Sequence, residues 1–79
     1  MTTIKLEYPV EDNGGKIEKL EMRRPKVRDQ ITAKKTSKSS DELEVLLFAN
    51  LCEVAPAVIE EMDMKDYSKL QQVYRDFLS

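Results

Sequence analysis

Ile4, Leu6, Tyr8 and Val10 alternate with Lys5, Glu7 and Pro9. A period of two marks a half-buried strand. Pro9 cannot donate to a ladder, so its N–H side belongs at an edge or near the strand end. Asp12-Asn13-Gly14-Gly15 then supplies residues that tolerate positive φ, the signal of a tight hairpin turn. A second extended run covers Ile17–Met22. Leu20 and Met22 share one parity and Ile17 has the other. Pairing Tyr8 with Leu20 and Leu6 with Met22 leaves Ile17 on the wrong face, and a bulge near Glu18 or Lys19 would reconcile them. A lone two-stranded hairpin is marginal in water, so helices must cover it.

The pattern turns helical after Pro25. Lys26–Lys35 predicts a weak helix with Val27 and Ile31 one turn apart as its inward pair. Thr36–Ser40 has no apolar residue and reads as a loop. Ser39 with Glu42 forms a capping box that opens a helix from about Ser40 to Val54. At about 100° per residue, Leu43, Leu46, Leu47, Leu51 and Val54 make one apolar stripe. Val45, Phe48, Ala49 and Cys52 make a second stripe on the other side. A helix apolar on two sides must be covered twice or must expose a patch to a partner. A short helix starts at Pro56, with Val58, Ile59 and Met62 facing inward. Asp63 caps a last helix, with Asp66 in its first turn. That helix carries Tyr67, Leu70, Val73, Tyr74, Phe77 and Leu78 at helical spacing. The expected fold is α+β: an N-terminal β-hairpin, residues 3–24, packed on three to four α-helices, residues 25–79, in one domain spanning 1–79.

Composition narrows the chemistry. The 79 residues include no His and one Cys. A structural zinc site and a Ser-His or Cys-His nucleophile pair are therefore out of reach. Glu60-Glu61 and the Asp63/Asp66 pair suit helix capping and a solvated face better than acid–base catalysis. The two glycines are adjacent in a turn, so no phosphate-cradling motif exists. No catalytic, metal or cofactor site is expected, and no enzyme. The first residues lack the apolar run of a signal peptide. The longest unbroken apolar run, Val45–Ala49, is far short of the roughly 20 residues that span a bilayer. A cytoplasmic protein is the default expectation, which shifts the weight to binding roles.

Charge adds a second constraint. The net charge is −2, but residues 16–38 carry nine Lys/Arg against three acids, and residues 39–79 carry three Lys/Arg against nine acids. The basic segment could neutralise phosphates. It has no interleaved aromatic residue, however, and the sequence pI is near 5.1. It is better read as a face that pairs with the acidic half or with a protein partner. A small nucleic-acid-binding regulator using 16–38 is the alternative. If the core takes the Leu43/Leu47/Leu51 side, then Val45, Phe48 and Cys52 form the candidate partner patch. Taken by itself, Cys52 is better read as a small buried hydrophobe. Asn50 is readable as a buried amide bonded to a backbone carbonyl, or as the one polar group of a partner groove. Tyr67 and Tyr74 are expected in the core, though tyrosine also suits an interface.

The ordered string of elements resembles the tail assembly chaperone family of Mu-like and P2-like contractile-tailed phages. It comprises Tyr8-Pro9-Val10, a Gly turn, Ile17–Pro25 with Asp29 four residues on, the leucine-rich helix 43–54, and Met62, Asp66, Leu70 and Phe77-Leu78. The resemblance covers about residues 3–78. Lys26 departs from it, where the family often has a hydroxyl residue after the proline. The resemblance implies a non-enzymatic protein of the host bacterial cytoplasm, made in an infected or lysogenic (prophage-carrying) cell and absent from the mature virion. It implies binding to the tape measure protein, and help for the tail tube protein to assemble round it. A longer, frameshifted form of the same gene product is a further implied partner, and a homo-oligomer is open.

Overall fold

A computed structural model describes residues 1–79. The order is β1 (Thr2–Asp12), β2 (Gly15–Met22), α1 (Val27–Thr36), α2 (Ser40–Cys52), α3 (Pro56–Glu60) and α4 (Met64–Leu78). This is the expected α+β arrangement, a hairpin followed by four helices. The strands pair antiparallel around Asn13-Gly14, whose φ angles of 50° and 80° define a two-residue turn with both residues left-handed. Ile4, Leu6, Val10, Leu20 and Met22 bury one face of the hairpin against the helices.

The register differs from the expected one. Thr2 faces Met22 and Ile4 faces Leu20, while Val10 faces Ile17. The irregularity therefore lies in β1, where Leu6–Pro9 oppose Glu18, and not in β2. Pro9 falls within this unpaired stretch, where its missing N–H removes nothing from the ladder. The break also turns Tyr8 outward, 53% exposed, against the alternation that placed it inside.

Breaking the ladder leaves backbone amides to satisfy, and α4 supplies the acceptor. Asp63 caps α4 by accepting from the Lys65 N–H at 2.9 Å. One turn further, the fully buried Asp66 carboxylate accepts the Glu7 N–H through Oδ1 and the Tyr8 N–H through Oδ2, both at 2.9 Å. Two successive N–H groups aimed at one carboxylate form an anion-binding concavity. Lys69 Nζ lies 3.2 Å from Asp66 Oδ1 and also donates to the Lys5 carbonyl at 3.1 Å. Asp66 is thus neither a simple dipole residue nor part of a solvated face, as its position in the first turn suggested.

A second buried carboxylate closes the far end of the hairpin. Asp29, in the first turn of α1, receives Arg23 Nη1 at 2.9 Å, Arg23 Nη2 at 2.7 Å and the Lys26 N–H at 2.8 Å. It thereby satisfies the N-terminus of α1 in place of a side chain at Lys26. Arg23 also donates its backbone N–H to the Leu51 carbonyl, which ties β2 to the end of α2.

The helices depart from expectation in three places. Val27 and Ile31 are 78% and 52% exposed; α1 instead turns Asp29 and Ala33 inward. Helical spacing favours the apolar pair one turn apart, but the Arg23–Asp29 ion pair sets the rotation of α1. The central helix α2 stops at Cys52 rather than Val54, because Glu53 adopts φ 56° and Val54 donates back to the Ala49 carbonyl. Leu78 is 64% exposed at the end of α4. Ser39 does cap α2, accepting from Glu42, and Val58, Ile59 and Met62 are all buried.

Two outcomes follow for stability. Burial alone would raise the Asp66 pKa, but its two backbone donors and Lys69 together outweigh this and lower it. D66N should cost about 2 kcal/mol and D66A about 3–4 kcal/mol, since each leaves buried amides unmet; urea unfolding of the variants measures this. The Arg23 hydrogen bonds likewise hold Asp29 down at about 2. Both folded values lie below the unfolded ones. Their stabilisation is therefore present in full above about pH 5 and lost as pH falls toward about 2. The urea midpoint should decline over that acid window, and R23M should remove the Asp29 share of the decline.

Candidate partner-binding surfaces

The four residues singled out on α2 do not form one exposed patch. Phe48 is 1% exposed and Cys52 is buried, whereas Val45 and Asn50 are half-buried. Phe48 is covered by α4: the Tyr67 and Tyr74 rings each lie 5.6 Å from its ring centroid, tilted by 53° and 56°. Leu47, Ala49, Leu51 and Cys52 join it in the core, so both stripes of α2 are largely covered within the chain. Of the Val45/Phe48/Cys52 set, Phe48 and Cys52 are covered within the chain and Val45 keeps partial exposure. The Asn50 side-chain amide makes no hydrogen bond to a backbone carbonyl; the Asn50 backbone carbonyl accepts from the Glu53 N–H at 3.3 Å. It sits on the half-buried side of α2 with Leu43 and Leu46.

Val45 opens onto a cleft of about 400 Å³ between α2, α3 and α4. Ile59, Met62, Met64 and Tyr67 share its apolar lining, and Asp41, Glu44 and Glu60 bring carboxylates to it. Glu44 is held in place there: its Oε1 accepts from the Tyr67 hydroxyl at 2.6 Å and from the Gln71 amide at 2.8 Å. Burial, and then this hydrogen bond, push the Tyr67 pKa upward, so the phenol stays a donor. Sequence periodicity alone misses Glu44, which sits between the two stripes of α2. Its signal is the separation of Glu44 from Tyr67 and Gln71, two residues one turn apart on another helix.

The basic segment is divided between β2 and α1. Arg23 is committed to Asp29, and the Arg24 guanidinium lies 5.9 Å from the Phe77 ring centroid. Lys26, Arg28, Lys34 and Lys35 are exposed beside Val27 and Ile31. The expected pairing of this segment with the acidic half is scarcely realised inside the chain. Arg23–Glu53, at 4.0 Å, is the ion pair that joins them. The other three pairs are Arg23–Asp29, Lys65–Glu7 and Lys69–Asp66.

No helix is long and apolar enough to cross a membrane. The family model described as "Phage tail assembly chaperone proteins, E, or 41 or 14" matches residues 3–79. No curated protein and no solved structure matches the chain.

Burial pushes the Cys52 thiol up to about 11. At pH 8, Ellman's reagent should label the native chain about a hundredfold more slowly than the urea-unfolded chain. Equal rates would show that Cys52 is open to solvent.

Proposed function

As the chain belongs to the phage tail assembly chaperone family, we propose that it binds the tape measure protein, keeps it soluble and promotes assembly of the tail tube round it. The observation that carries this reading is the family match over residues 3–79, nearly the whole chain. The surface is compatible with such a role. It offers an apolar cleft lined by Val45, Ile59 and Met62, and an exposed apolar pair on α1, either of which suits an amphipathic segment of a client. The proposed role is non-enzymatic. Its place is the cytoplasm of the bacterial host before the virion is complete, with the tail tube protein and a longer frameshifted form as further partners. Nucleic-acid binding through 16–38 is less well supported, because Arg23 and Arg24 already serve Asp29 and Phe77.

Co-expression with the tape measure protein of the same phage tests the proposal. The expected result is a complex recovered by pull-down and a larger soluble fraction of the tape measure protein. A tape measure protein that stays insoluble and unbound would refute it.

A further inference from the structure

We propose that the open edge of β2 takes an extended acidic segment of another protein as a third strand. The two edges of the hairpin differ. The edge of β1 is closed by α4: Asp66 accepts from the Glu7 and Tyr8 N–H groups, and Lys69 donates to the Lys5 carbonyl. The sheet ends at β2, whose one strand neighbour is β1. The bond from the Arg23 N–H to the Leu51 carbonyl lies past the last residue of that strand. An antiparallel strand with one neighbour turns alternate N–H and C=O groups outward, which is a template for strand addition.

The side chains along this edge specify what the added strand carries. Lys5 stands directly opposite Lys19. Like charges so placed repel each other, and an anion between them relieves the repulsion. Lys16 borders the same hollow with Thr3 and Ile17, and Glu18 is the one acid there. All three lysines are exposed, and none of them takes part in the ion pairs of the chain.

Toward the helices, the edge borders a groove of about 350 Å³. Three successive residues of β2, Lys19, Leu20 and Glu21, line it together with Cys52 and Val54, which places the groove beside the strand. Leu20 and Cys52 are buried at its floor, and Val54 is half-buried. Side chains of an added strand alternate between two faces. One set meets the lysines and calls for Asp or Glu. The other enters the groove and calls for Val or Ile. A second copy of β2 carries as many Glu as Lys and so lacks the surplus negative charge. The surface shares no residue with the α2–α3–α4 cleft, and its failure would leave the chaperone reading untouched.

A fluorescein-labelled peptide that alternates Glu with Val, added to the full chain, is the probe. By anisotropy it should bind about tenfold or more tighter than a peptide alternating Lys with Val, and added salt should weaken it. A peptide alternating Glu with Ser, which lacks the apolar set, should bind about tenfold more weakly. K5E/K19E exchanges one like-charge pair for another, so the cross-strand repulsion is unchanged, and a urea midpoint confirms that it folds. This variant should prefer the Lys peptide. Amide hydrogen exchange identifies strand addition directly: the Glu peptide should slow exchange at alternate residues of β2. Equal binding of the Glu and Lys peptides overturns the proposal. So does a preference that survives in folded K5E/K19E, or binding that leaves the β2 amides unprotected. A single-stranded oligonucleotide that binds while the Glu peptide does not would assign the lysines to nucleic acid and overturn it as well.

Discussion

The Asp66 carboxylate is the constraint on which the arrangement of this fold depends. A two-stranded hairpin cannot stand alone in water, and β1 is broken at its centre by Pro9 and by the loss of register. Without an acceptor, the Glu7 and Tyr8 amides would face the helical layer with nothing to bond. Asp66 meets both and places the start of α4 against the middle of β1. The desolvation of a fully buried carboxylate is offset by three donors, two of them backbone and therefore fixed in position. Asp29 does the corresponding work at the other end, joining Arg23 at the end of the hairpin to the first turn of α1. The two acids together hold the strands to the first and last helices.

Between these anchors lies α2. Its apolar residues run nearly all the way round, and the fold answers by packing elements against both sides. The hairpin and α3 cover one side, and the aromatic pair Tyr67 and Tyr74 covers Phe48 from α4. What remains half-exposed is a narrow strip of Leu43, Leu46 and Asn50 and the Val45 edge of the cleft. A doubly apolar helix in so short a chain thus need not imply an exposed stripe, because the last helix returns to cover it.

Much of this architecture is legible in the sequence, where local chemistry alone decides the outcome. Asn13-Gly14 specifies the turn, Ser39 and Asp63 specify two helix starts, and Val58, Ile59 and Met62 read correctly as core. The failures occur where a distant group overrides the local pattern. Alternation puts Tyr8 inside, but a carboxylate 58 residues away bends the strand there. Helical spacing turns Val27 and Ile31 inward, but the Arg23–Asp29 pair rotates α1 the other way. The stripe of Phe48 and Cys52 looks available because nothing local announces that α4 will lie across Phe48. Charged residues at Asp29 and Asp66 match surface capping patterns, and burial shows only once their partners are in place.

The bonds from Asp66 to Glu7 and Tyr8 span nearly the whole chain, which has a consequence for folding in time. The residues of the hairpin are joined before the residue that completes it is added. Until α4 emerges, β1 has an open kink and an uncovered apolar face, so the last helix governs when the first strand becomes stable. Non-local closure of this kind slows folding relative to a bundle of neighbouring helices. It also means that the native core is completed only after the last helix has been made.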